Sequence, residues 1–156
     1  MSPEDTRAKR RLAADLFNQV WSLLEQPDRS QADNDTMLHA AHALRFHWGE
    51  VGEPVNLARG EWQVSRVYAV LGRAEPARYH AQRCLDICLA HEIGDFDLVF
   101  AYQALARASA IAGQQAQRGH YVELARQAGE QTAEQDAREI FQADLASVPG
   151  VPEARD

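Results

Sequence analysis

A segment of this chain repeats itself 41 residues further on. Tyr68-Ala69-Val70-Leu71-Gly72, followed by Ala77, Ala81 and Cys84, lies over Ser109-Ala110-Ile111-Ala112-Gly113, followed by Arg118, Val122 and Ala125. Arg66 and Arg107, Ala69 and Ala110, and Gly72 and Gly113 fall in register. Each copy reads as a helix, a Gly-closed turn and a second helix. A helical hairpin of this size cannot bury its apolar face alone, so successive copies must stack. The expected fold class is therefore all-α: a right-handed helical-hairpin solenoid of about seven helices, the last one a C-terminal capping helix. Residues 1–148 are expected to form a single domain and 149–156, with Pro149, Gly150 and Pro152, a frayed tail.

Punctuation along the chain supports that count. Ser2-Pro3-Glu4-Asp5 opens a first helix running to about Glu25, with Leu12, Leu16, Val20, Leu23 and Leu24 as its apolar stripe. Gln26 to Asn34 is the most loop-like stretch, and Asn34 or Asp35 is expected to cap a second helix with Met37, Ala41, Leu44 and Trp48 on one face. Gly49, Gly52 and Pro54 separate it from a third helix over about Val55 to Leu71. Gly72 closes that one, and a fourth runs from Glu75 to roughly His91. Asp95 is expected to cap a fifth that ends at Gly113, and a sixth spans about Gln114 to Gly129. Thr132 to Gln135 has the spacing of a capping box for a seventh, with Ile140, Phe141 and Leu145 inward. No segment alternates with the period-two pattern of a strand.

The third/fourth and fifth/sixth helix pairs resemble tetratricopeptide repeats over about Val55 to Ala128. Tyr68, Gly72, Ala77 and Cys84 occupy small or aromatic positions of that pattern in one unit, and Tyr102, Leu105, Gly113 and Ala125 do so in the next. The chain departs from it at Glu61, where an aromatic is usual, at Arg118, where Ala is usual, and in a period longer than the usual roughly 34 residues. The resemblance implies a concave groove lined by the first helix of each pair, and a non-enzymatic, protein-binding role.

Two constellations carry chemistry. On the third helix Arg59, Trp62 and Arg66 follow each other at steps of three and four, opposite a core stripe of Leu57, Val64, Tyr68 and Leu71. Their counterparts one repeat on are Phe100, Gln103 and Arg107. In a tetratricopeptide-like stack all six would face the groove. Forked guanidiniums beside aromatic planes suit a carboxylate or phosphate, so the expected partner is a protein or peptide segment or a small anionic ligand. The rival constellation is histidine-based. His39, His42 and His47, with Glu50 nearby, could hold a transition metal, which is the alternative reading of the chain. The stripe His80, Cys84, Cys88 and His91 is roughly 16 Å long at 1.5 Å per residue, too long for four ligands to share one ion. Cys84 is better read as a small core residue, and half-buried histidines as hydrogen-bonded structure.

Other classes are disfavoured. A net charge of −7 argues against nucleic acid as a partner, because phosphate binding needs a basic face. No run reaches the ~18 apolar residues of a membrane span, and no signal-peptide core follows Met1, so a cytoplasmic protein without a membrane partner is expected. His91-Glu92 begins like a zinc-protease helix, but Asp95 replaces the second His and Gly94 breaks the helix. There is no phosphate-binding Gly-rich loop and no nucleophile elbow, so no catalytic residue is assigned. Nothing in the chain specifies an oligomeric state, and a homodimer is left open.

Overall fold

The computed structural model describes residues 1–132 and 135–150; of residues 135–138 and 141 only the backbone is described. Seven helices and no strand occur among the described residues: α1 (Pro3–Glu25), α2 (Gln31–Val51), α3 (Pro54–Val70), α4 (Ala74–Ala90), α5 (Asp95–Ile111), α6 (Gln115–Glu130) and α7 (Gln135–Ala146). Consecutive helices pack as the hairpins α1·α2, α3·α4 and α5·α6, which stack in a helical-repeat-like series. α3 packs on both α1 and α5, and α7 lies against α5 and α6.

The internal repeat is visible in the backbone. α3 and α5 both have 17 residues, and each end of α5 is offset 41 residues from that of α3. Gly72 and Gly113 both adopt φ 74°. Behind them the same closing bond recurs, from Arg73 N–H to the Tyr68 carbonyl at 2.8 Å and from Gln114 N–H to the Ser109 carbonyl at 2.9 Å. This left-handed cap needs a residue without a Cβ penalty. Gly113→Ala should therefore lower the unfolding free energy by about 1–2 kcal/mol. Gly119, exposed inside α6 with open space where a Cβ would go, should behave oppositely. Gly119→Ala is expected to add about 0.5–1 kcal/mol, and urea denaturation of the two variants side by side checks the contrast.

Several boundaries and faces differ from the sequence expectation. α2 starts four residues early, because Ser30 and Asp33 form a capping box: Asp33 N–H donates to Ser30 Oγ at 3.1 Å and Ser30 N–H to the Asp33 carboxylate at 3.0 Å. Neither Asn34 nor Asp35 is the cap. Arg29 fixes this short turn, donating to the carbonyls of Leu23, Leu24 and Gln26 at the end of α1 and to Asn34 Oδ1. Gly94, in place of Asp95, holds the N-cap of α5, and Asp95 opens the helix at φ 49°. Leu12 is exposed, and the α1 stripe runs instead through Ala13, Leu16, Phe17 and Val20. Ile140 is 52% exposed and does not point into the core, whereas Leu145 and Val148 are buried. Phe141's side chain and the proposed 132–135 capping box fall at least partly outside the described residues, as do 151–156 of the expected tail. Arg118, at the atypical repeat position, packs its guanidinium against Gly150 just beyond α7.

The core follows the stack. Val20, Met37, Leu44, Val64 and Val67 knit α1, α2 and α3 together, and Ala58, Leu85, Ile87, Ala101 and Leu105 do the same for α3, α4 and α5. Alanines at the crossings let the helix axes approach closely, so little apolar volume is needed between them. α5 is the most enclosed element. Even Gln103, Arg107 and Ser109 are buried on it, because α3, α4, α6 and α7 surround it.

A candidate ligand-binding groove

A cavity of about 650 Å³ lies where α1, α3, α5 and α7 meet. Its aromatic walls come from three helices, with Phe17 and Trp21 on α1, Trp62 on α3, and Phe96 and Phe100 on α5. Each pair on α1 and α5 is spaced i, i+4, which puts both members on one helix face. Trp62 is the keystone, 5.9 Å from Trp21 and 5.6 Å edge-on from Phe100, while Phe96 and Phe100 lie 4.6 Å apart. α1 is held in place by Gln63, whose buried amide donates to the Phe17 carbonyl at 3.0 Å. α7 forms the remaining wall with Ile140, Ala143, Asp144 and Ser147.

Of the six residues expected to face the groove, Arg59, Trp62, Arg66 and Phe100 line this cavity. Gln103 and Arg107 do not. Both are buried where α5 packs against its neighbours, so the expectation that they face an open groove is corrected. Phe17, Trp21 and Phe96 are not singled out by the sequence reading, although the i, i+4 aromatic pairs on α1 and α5 are a readable signal, and Ile140, expected in the core, lines the cavity instead.

The charges are arranged in two groups. Arg59 forks onto Asp97, with Nε to Oδ1 at 2.8 Å and Nη2 to Oδ2 at 3.2 Å, joining α3 to α5. Deeper in, Arg66 and Arg107 converge on one carboxylate, Asp144 of α7, at 3.6 and 3.7 Å. Arg107 also donates to the Ser147 carbonyl and hydroxyl at 3.2 and 2.8 Å. Burial pushes the Arg107 guanidinium down to about 10, Arg66 pushes the same way, and Asp144 opposes both. Burial likewise lowers Arg66, again against Asp144. The matched arginines of the two repeats are thus neighbours, as their register requires, and the anion between them belongs to the chain itself.

The histidines form a different assembly. Glu61 is buried on α3, accepting from Arg45 of α2 at 2.9 Å and His80 of α4 at 2.6 Å. His80 stacks on Tyr68, whose hydroxyl lies 2.8 Å from His42 Nε2. His47 instead contacts Glu50, which also binds Lys9. The structure therefore does not gather His39, His42 and His47 around one point, and among the described residues no three His, Cys, Asp or Glu side chains converge as a metal site. Cys84 and Cys88 are free and buried. The two thiols share a hydrogen bond that, with burial, pushes the Cys84 thiol well up and draws the Cys88 thiol down.

Comparisons with protein-family models, curated proteins and solved structures give no match for the chain.

Proposed function

We propose that this protein is a non-enzymatic, tetratricopeptide-like binding module that takes its ligand in the cavity enclosed by α1, α3, α5 and α7. The observation that carries the reading is the aromatic lining. Trp21 and Phe96 stay 38% and 41% exposed at its rim. Aromatic side chains from three helices converging on one concavity of roughly the usual ligand-pocket size favour binding over packing. The Gly-closed hairpins and the small-residue crossings support kinship with tetratricopeptide repeats in architecture, and the 41-residue unit makes the helices longer than in that pattern. A small ligand fits better than a long peptide segment, because α7 crosses the concave side and turns an open channel into a pocket.

Titration with a neutral fluorescent probe, 1-pyrenebutanol, tests this. Saturable binding at one site per chain, with quenching of tryptophan emission, is expected, and Trp62→Ala should weaken it at least tenfold while the far-ultraviolet dichroism stays helical. Binding that never saturates, or that ignores the loss of Trp62, would overturn the assignment.

A further inference from the structure

Arg66 stands out within the pocket. Its side chain is only 21% exposed, it lines the cavity, and among the described residues it makes no hydrogen bond. Its one ionic partner, Asp144, is 3.6 Å away, at the outer reach of an ion pair. A guanidinium has five N–H donors, and burying it without acceptors is costly. Arg107 is in a different position, because Ser147 satisfies it.

The charge count makes the same point. Arg59 and Asp97 cancel at the rim. Inside, among the described residues, Arg66 and Arg107 face a single carboxylate, which leaves that described cluster one positive charge in excess. One monoanion would neutralise it. A phosphate, carrying between −1.5 and −2 by order of magnitude at neutral pH, would overshoot and crowd Asp144. Apart from the charged residues, Asn18 and Ser147, the lining is apolar, with five aromatic side chains beside Ala58, Cys84, Ile140 and Ala143.

Building on the binding reading above, we infer that the ligand is an apolar, ring-bearing monocarboxylate, its body between Trp21, Trp62 and Phe100 and its carboxylate on the Arg66 guanidinium. The planar fork of Arg66 suits a two-oxygen acceptor, and a lysine ammonium would not reproduce it. Asp144 stays in place as the partner of Arg107, so the ligand completes the charge cluster without displacing α7.

Paired probes that differ only at the head group test the assignment on the intact chain: 1-pyrenebutyrate and the neutral 1-pyrenebutanol. The carboxylate should bind the wild-type protein at least tenfold more tightly, the advantage should shrink with added salt, and Arg66→Met should abolish it while leaving the alcohol's affinity within about twofold. Arg66→Lys should recover only part of it. If both probes bind wild type equally, the carboxylate assignment is wrong while the pocket stands. If Arg66→Met weakens both probes alike, Arg66 is part of the wall and the inference is overturned. If neither probe binds, the binding reading falls and takes this inference with it.

Discussion

Replacing Glu61 by Ala should lower the unfolding free energy by about 3 kcal/mol at neutral pH, among the largest losses expected from any single side chain here. The carboxylate joins α2, α3 and α4 by charge, with Arg45 on one oxygen and His80 on the other. Removing it leaves a partly buried guanidinium and a mostly buried imidazole without their acceptor, which costs more than the pair itself contributes. Glu61→Gln, which keeps the shape and one acceptor, should lose clearly less. The pH dependence separates charge from packing. Burial alone would push the Glu61 carboxyl up, but the hydrogen bond from His80 and the charge of Arg45 outweigh it and hold it below its ordinary 4.5. A carboxyl depressed in the folded state stabilises above its unfolded pKa, and that contribution is lost as pH falls from 4.5 through the folded value. Wild type should therefore lose stability in that acid window, and Glu61→Gln should lose less there. His42 has the same sign at higher pH. Burial and His80 lower it from 6.5 while Glu61 pulls it up, so its imidazole titration should move further down in Glu61→Gln. Urea denaturation across pH, with histidine titrations by NMR, reads all three effects.

That network also shows where sequence reasoning stops. Helix ends were legible wherever a local device sets them, as at Ser2-Pro3 and at the two left-handed glycines, because capping depends on residues within one turn. Ser30 was missed for a compositional reason: three Asp and a Pro nearby made the first turn of α2 look like loop, although Ser30-x-x-Asp33 is itself a capping pattern. The faces of α3 were legible too, since Arg59, Trp62 and Arg66 are opposed to apolar partners by helical geometry alone. What lay beyond reach depends on contacts between distant helices. Glu61 looked like a flaw in the repeat until Arg45 and His80 were seen beside it. Gln103 and Arg107 shared the face of their counterparts on α3, but α7 covers them, and nothing local announces where a C-terminal helix will dock. The periodicity locates a face; the number of helices packed on it decides whether that face is groove or core.

Asp144 is where that docking can be probed, and Asp144→Ala is expected to release α7 at a cost of about 3 kcal/mol, felt locally and not across the whole stack. The carboxylate sits between two guanidiniums that are 21% and 10% exposed. Without it, Arg66 and Arg107 repel each other in a poorly solvated site, and Arg107, already held down to about 10, loses the one influence that raises it. The chain has an escape that a fully buried pair lacks, since moving α7 away returns both arginines to water. The penalty is thus capped at the free energy that docks the helix, to which, among the described residues, Leu145, Val148 and the Ser147 bonds to Arg107 contribute. Hydrogen exchange should report this as lost protection over residues 139–148, with α1 to α4 unchanged. Arg107→Met in the Asp144→Ala background supplies the decisive comparison. It removes the repulsion and fills similar volume with an apolar chain, so it should restore much of the α7 protection even though the Ser147 bonds are gone. If the double variant is as unprotected as Asp144→Ala alone, like-charge repulsion is not what expels the helix.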